Sequence, residues 1–384
     1  MNEAKASRYH RLRRRAVLLT AAWAAVWLTV LVLSGLSSSG SRAAASAASG
    51  LPSILRLPAA VSLWVLAVAA VYEAGVLPLA WYAGFTLERR YGLSRQRASE
   101  WLTDHLKAAA LRLVFTMAAA VWVAAWLERW PGGWWLAAWL GAVAASIGVA
   151  WAAPVLLLPL FYRFVPMADA RLRQRLLALA ARAGAPAIDI LEWRLSDRTS
   201  RANAAVTGLG RTRRIVVSDT LVADYGPDEV EVVVAHELAH HVRRDTRVAL
   251  AVDAAVAAAA FLLSDAVLRA ASGPLGLAGG PASAGLPVVA LTVLSVEWMA
   301  APLVNLVSRA LERRADRFAI ELTGNAAAFG TAMRRLGARN LAEETPGALA
   351  RAFFHTHPLV GERLAAARNW EAEQAAARAT GGGT

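Results

Sequence analysis

The chain of 384 residues is 57% hydrophobic with a mean hydropathy of +0.41, too apolar for an ordinary soluble protein and suited to a polytopic membrane protein with a soluble part. It has no cysteine, which excludes disulfides and thiolate metal ligands. The net charge of +13 comes almost wholly from arginines beside apolar segments. The positive-inside rule accounts for them there, and with no basic-plus-aromatic recognition motif a nucleic-acid partner is not expected.

"RYHRLRRR" at 8–15 leads into an apolar run at 16–36. The small residues of "SRAAASAASG" at 41–50 offer signal-peptide cleavage sites, but the run before them is longer than a signal peptide's, so a retained first span is expected. A second span is expected at 58–81. It holds Glu73, and an acidic residue within a span faces a partner or a wet cavity rather than lipid. A charged loop at 88–107 precedes a third span at 111–127. After the tryptophan-rich turn at 128–135 comes a fourth span at 136–161, where Pro154 and Pro159 predict a kink or an early end.

From about 168 the composition changes. Charged and apolar residues at helical spacing predict a helix over 168–186, ended by Gly184 and Pro186. The stretch 188–222 reads as short strands broken by turns, "RRIVVSDTL" being the clearest. A helix follows at 226–241, with Pro227 in its first turn and Asp228 and Glu229 at the positive end of its dipole. Two further spans, 248–268 and 286–307, are separated by the uncharged 271–285. The tail from 308 is charged and helical, and 379–384 is expected to fray. Six spans put both termini on one side, which the arginine-rich ends and the 82–107 loop mark as cytosolic. The loops 37–57, 128–135 and 271–285 would then face outward.

The stretch "VVVAHELAHHVRRD" at 232–245 falls on the cytosolic side and holds three of the seven histidines. His236 and His240 are four apart, so on a helix their imidazoles leave one face about a turn apart, a separation that suits two nitrogen ligands of one zinc ion. Glu237 is turned about 100° from His236 and can reach a metal-held water as a general base. His241 is turned off the ligand face. Asp245 is expected to orient the helix end. With cysteine excluded, the best candidate third ligand lies in "VSRALERRADRFAIE" at 307–321. Glu312 and Asp316 share a helical face there, so Glu312 could bind the metal while Asp316 fixes a ligand imidazole. Arg309, Arg313 and Arg317 equally allow an ordinary ion-paired face.

At this point the chain resembles the integral-membrane gluzincin peptidases, which include the zinc-dependent CAAX prenyl endopeptidases and the bacterial HtpX heat-shock protease. "HELAHH", two apolar runs and then "SRALERRAD" carry the likeness, with "YEAGVLPLAWYAGFTLERRYGLSRQ" at 72–96, "WLTDHLK" at 101–107, "LPLFYRFVPM" at 158–167, "NAAVTGLGRTRRIVVSDTLV" at 203–222 and "THPLVGERL" at 356–364. The segment 72–107 favours the CAAX branch. The resemblance implies a mainly α polytopic protein with a cytosolic α+β zinc peptidase domain. It divides the chain into a membrane domain at 1–167 and a peptidase domain at 168–384, the latter interrupted by the last two spans. It implies one zinc per chain on His236, His240 and Glu312, with Glu237 as general base and Asp316 as a second catalytic residue, either behind the ligands or as a proton donor. Asn203 would lie on a strand bordering the cleft, and His357 and Arg363 in a His-Pro…Arg element able to stabilise an oxyanion. Peptides or proteins would be the substrates, and the lipid bilayer the surrounding partner. An HtpX-like quality-control protease is the nearest alternative; a zinc-binding receptor or scaffold without peptidase activity is the alternative of another class. The eukaryotic CAAX proteases carry an extra amino-terminal span and longer insertions, and the alanine- and arginine-rich composition here looks bacterial. A prenylated substrate is therefore not implied.

Overall fold

A computed structural model describes residues 3–185, 189–207 and 214–381. Pro186, residues 208–213 of the expected strand region and 382–384 of the expected frayed end lie outside them. Six helices among the described residues are long and apolar enough to cross a membrane.

Helix α1 (Glu3–Leu33) packs along α3 (Ser53–Trp81), where the indole nitrogens of Trp23 and Trp27 donate to the carbonyls of Tyr72 and Val68, both at 3.1 Å. Between them the expected loop 37–57 is largely a helix, α2 (Leu36–Ala47). Its serines are poor helix formers in isolation, but here their hydroxyls are buried in use: Ser37 donates to Ala284 O at 2.6 Å, Ser38 to Gly276 O at 2.9 Å, and Ser41 meets Ser283 at 2.5 Å. Gly40 allows the close approach, since a Cβ there would sit 2.2 Å from the Trp64 ring. Tertiary bonds, not propensity, make this helix.

Helix α3 widens through a π turn at Tyr82–Thr86 into the short α4 (Leu87–Arg90). The expected loop 88–107 is shorter than its charges suggest, because α5 (Ala98–Arg129) begins within it, its start closed by Glu100 accepting from the amide of Arg97 at 2.8 Å. Glu73 of α3 meets His105 at 2.7 Å and Arg112 at 2.8 Å, both on α5. α6 (Trp134–Ala152) ends well before 161, passing into a π turn at Ala153–Leu157, the early end that the prolines predicted.

The soluble part is built on a four-stranded sheet ordered β1–β2–β4–β3. β1 (Phe164–Pro166), not foreseen as a strand, pairs antiparallel with β2 (Asp189–Trp193). β3 (Ala204–Thr207) is an edge strand, antiparallel to β4 (Arg214–Ser218), which runs parallel to β2. Between β1 and β2 lies α7 (Ala170–Arg182), followed by Gly184 in the left-handed region at φ 71°. After β4 come α8 (Asp219–Asp224) and α9 (Pro227–Val242). α9 is the central helix of this part. Val230, Val232, Val233, Val234, Ala235 and Leu238 are buried in one core with Leu176 and Leu179 of α7, Ile190 and Ile215 of the sheet and Phe329. The middle of the helix, 232–235, is apolar on every side and buried as that pattern requires, with the charged and histidine side chains towards its two ends.

Past α9 the chain crosses back through α10 (Asp245–Ala271) and α11 (Leu286–Thr323). The expected span at 286–307 and the charged segment after it are one unbroken helix of 38 residues. α12 (Ala326–Arg339), α13 (Ala348–Phe354) and α14 (Val360–Gly381) complete the chain.

A strap joins the two parts. The loop after α4 pairs with residues 195–200: Arg95 N donates to Arg198 O at 2.8 Å, Ser200 N to Leu93 O at 3.2 Å and Thr199 Oγ1 to Leu93 O at 2.6 Å. Asp104 of α5 holds Arg198, and buried Tyr9 of α1 donates to Glu88, which also accepts from Arg201 at 2.9 Å. Removing Glu88 takes the acceptor from fully buried Tyr9 and the carboxylate from partly exposed Arg201. Glu88→Ala is therefore expected to cost about 1–3 kcal/mol, read as faster limited proteolysis and a lower unfolding temperature in detergent.

Candidate metal centre

The site begins with a buried apolar helix that must carry two imidazoles. α9 is fixed at its start by Glu229, whose Oε2 accepts from the amide of Gly226 at 2.8 Å and from Arg335 at 2.5 Å. At its other end Arg244 takes a left-handed conformation, φ 59°, which costs a non-glycine residue about 1 kcal/mol. That turn reverses the chain and brings Asp245 back to His240, whose Nδ1 it holds at 2.9 Å. Sequence reasoning assigned Asp245 only to the helix end. Its position five residues past His240 was the available signal, but the reversal at Arg244 was not legible.

On the other side, Asp316 of α11 is almost wholly buried and lies 3.0 Å from His236 Nδ1. Each ring is thus held at Nδ1 by its own carboxylate, which directs Nε2 inward. The two Nε2 atoms stand 3.3 Å apart with the rings crossed at 88°. Into that gap comes Glu312, one turn before Asp316 on α11, with Oε2 at 3.2 Å from His236 Nε2 and Oε1 at 3.4 Å from His240 Nε2. Glu312 Oε2 is buried and accepts no hydrogen bond. A buried carboxylate oxygen without a donor, facing two inward imidazole nitrogens, fits a cation better than it fits hydrogen bonding. The donor atoms of His236, His240 and Glu312 all lie within 4.8 Å of one another, and an N,N,O set suits a borderline divalent ion such as zinc.

The remaining expected residues sit at different distances from this centre. Glu237 has no place in the donor cluster; burial pushes its carboxyl up from the ordinary range, against the lowering pull of His236 and His240. His357, largely exposed, reaches Glu312 Oε1 at 3.3 Å. His355, two residues earlier, turns the other way to Glu343 at 3.3 Å, so of these two neighbouring histidines it is His357 that faces Glu312. Arg363 arrives behind the site, not in front of it. Its Nε lies 2.9 and 3.1 Å from the two Asp316 oxygens, its Nη2 also binds Asp316, and Nη2 is 3.4 Å from His236 Nδ1. Asn203 lies at the entrance to β3. Its Oδ1 accepts from the amide of Ala204 at 2.9 Å, and its backbone is paired with Ser218.

Comparison with known proteins comes to the same place. The profile of "Peptidase family M48" matches residues 166–371, and that of "CAAX prenyl protease N-terminal, five membrane helices" matches 2–163. Within 2–163 the described residues hold four helices of spanning length. The uncharacterised metalloprotease YhfN of Bacillus subtilis (strain 168) is 30% identical over 295 residues, 75% of this chain and 68% of that protein. CAAX prenyl protease 1 homolog of Arabidopsis thaliana is 30% identical over 296 residues, 76% and 69% of the two chains. The crystal structure of S. mikatae Ste24p shares the fold, with a TM-score of 0.82 over 95% of this chain and 88% of that one at 22% identity.

Two outcomes are expected of the metal-binding step. Asp245→Ala frees the His240 ring and should weaken metal affinity about 10–100-fold, measured by chelator competition. In the metal-free protein burial depresses the basicity of His236, but the carboxylates of Asp316 and Glu312 outweigh it and hold its pKa at about 9. A metal must displace that proton, so apparent affinity should rise with pH towards about 9, with proton release seen calorimetrically at pH 7.

Proposed function

The chain belongs to peptidase family M48, and on that premise we propose that His236, His240 and Glu312 hold one zinc ion and that Glu237 is the general base of peptide hydrolysis at a membrane surface. The protein is a multi-pass membrane metalloendopeptidase, homologous to the CAAX prenyl proteases along most of its length. The observation that carries the site assignment is the convergence of two inward imidazole nitrogens on a carboxylate brought in by α11, one oxygen of which is buried and accepts no hydrogen bond.

Zinc bound there supplies Lewis acidity, polarising the scissile carbonyl and making water acidic near neutral pH. Glu237, half-buried next to the ligand His236 and outside the ligand set, takes the proton of the attacking water and returns it to the leaving amine. Asp316 and Asp245 hold the imidazoles in the tautomer with Nε2 free. His357, on the open side of Glu312, donates to the oxyanion of the tetrahedral intermediate, and Arg363 sustains the charge balance by holding Asp316 against His236. The free edge of β3, entered at Asn203, binds substrate as an added extended strand. The domain division at 167 places β1, which pairs with the peptidase sheet, at the end of the membrane part.

The match along three quarters of the chain to CAAX prenyl proteases, with their N-terminal profile on 2–163, supports this branch over an HtpX-like one. A zinc receptor or scaffold gives no role to Glu237. The substrate is a peptide or protein. The YhfN relative and the alanine- and arginine-rich composition support a bacterial cell membrane, where a prenylated protein is not the ordinary substrate. Charge asymmetry supports a cytosolic site with both termini cytosolic, and α1 retained, since it is bonded to Glu88 and Glu343.

Glu237→Gln should keep a full metal complement and lose about 10²–10⁴-fold in cleavage rate. The check is proteomic: peptide termini present in cells with the wild type and missing with the variant. Equal termini would overturn the mechanism. Reporters fused after Gly50 and Gly279 should read as extracytoplasmic; a cytosolic signal at either would undo the topology.

A further inference from the structure

Arg309 is buried on α11, one turn before Glu312, and its guanidinium pairs with no carboxylate among the described residues. A buried arginine without an acidic partner is costly and calls for an account of what holds it. Here Nη1 donates to two main-chain carbonyls, His355 O at 2.6 Å and Arg351 O at 3.2 Å. One turn earlier on the same face, Asn305 Nδ2 donates to Ala352 O at 2.8 Å. All three carbonyls lie at the end of α13; Arg351 O also accepts from the amide of His355 at 3.4 Å, while Ala352 O and His355 O lie past the last bond within the helix. A positive charge at that end also meets the negative pole of the helix.

The residues that follow make this end consequential. His355 turns away to Glu343, Thr356 Oγ1 meets His357 Nδ1 at 2.8 Å, and His357 Nε2 comes to 3.3 Å from Glu312 Oε1. His357 is largely exposed, and its contacts with Thr356 and Glu312 are polar. Its position therefore depends on where the chain emerges from α13. Arg309 sets that point from the same helix that carries Glu312, so ligand and turn are registered to one rigid rod. Both bonds leave from the one Nη1, at the tip of a guanidinium that lysine replaces with a compact ammonium on a different stem, so lysine is not equivalent.

We infer that Arg309 is a positioning residue: by capping α13 from α11 it sets His357 against the site. The inference rests on the reading of His357 as a group that meets the reacting carbonyl. The test uses the full-length, zinc-loaded protein in detergent micelles and a proteome-derived peptide library read by mass spectrometry, with the Glu237→Gln protein as blank. Kinetics are then measured on one cleaved peptide. His357→Ala should lower kcat about 10²-fold. Arg309→Gln should lower kcat by a similar factor, with KM within about twofold and one zinc per chain, and Arg309→Lys should recover only part. The double variant Arg309→Gln/His357→Ala should be no slower than His357→Ala alone, because the two act as one unit. Multiplying losses in the double variant, full activity in Arg309→Gln, or full recovery by Arg309→Lys would each overturn the inference. If Arg309→Gln loses its zinc or fails to fold, the kcat of Arg309→Lys and its coupling to His357→Ala decide. An unaffected His357→Ala, with Glu237→Gln inactive, would instead remove the role of His357, and absence of wild-type cleavage would remove the proposed function itself.

Discussion

Two imidazole nitrogens 3.3 Å apart, each made available by a carboxylate on the far side of its ring, are the constraint on which the rest of this protein depends. Neutral imidazole has one donor and one acceptor nitrogen, so fixing the donor at Nδ1 fixes the acceptor at Nε2. The helix that carries both rings cannot supply those carboxylates. Asp245 comes from the chain reversal after α9, and Asp316 from a span reached only after a further crossing of the membrane. Without both, the rings would rotate and the facing carboxylate of Glu312 would meet no defined geometry.

This requirement explains the long α11. A helix rising about 1.5 Å per residue and 38 residues long is far more than a bilayer needs, and its surplus projects into the soluble part. Along that projection lie Asn305, Arg309, Glu312 and Asp316, at spacings of three and four, so a single face serves a helix end, a turn, the site and an imidazole in sequence. A rigid rod through the membrane is a precise carrier: each of these side chains is placed relative to the others by helical geometry, and relative to α9 by packing against a core of Val232, Val233, Ala235 and Ala319.

The membrane part is not a passive anchor. Loop 92–96 forms main-chain bonds with 195–200, and Tyr9, Glu88 and Arg201 close a polar knot between α1, α4 and the segment leading to the edge strand β3. The second knot, of Arg14, Glu343 and His355, ties α1 to the turn before His357. Both contacts sit on backbone next to the site, so the spans and the sheet form a common frame for it. The charged loop between the second and third spans looks, in isolation, like a solvated connector; two of its charges, Glu88 and Asp104, are instead ion-paired across the junction to Arg201 and Arg198.

Local chemistry made much of this legible in the sequence. Six apolar runs, the His236–Glu237–His240 spacing, the breaking prolines after α6 and the acidic pair Glu312 and Asp316 follow from period and composition, because a helix places i and i+4 together whatever surrounds it. What depended on contacts between distant residues was not legible. The helix at 36–47 exists because its serines meet carbonyls some 240 residues away, and β1 because β2 lies beside it. Asp245 finds His240 through a backbone reversal that arginine seldom adopts, and Arg363 passes behind His236 to Asp316. The sequence by itself picked out His236, His240 and Glu312 as the proposed metal ligands and Glu237 as the proposed base. Only the tertiary structure decided which nitrogen each histidine presents, which carboxylate faces it and which of two neighbouring histidines reaches the site, because these are set by hydrogen bonds between elements that only folding brings together.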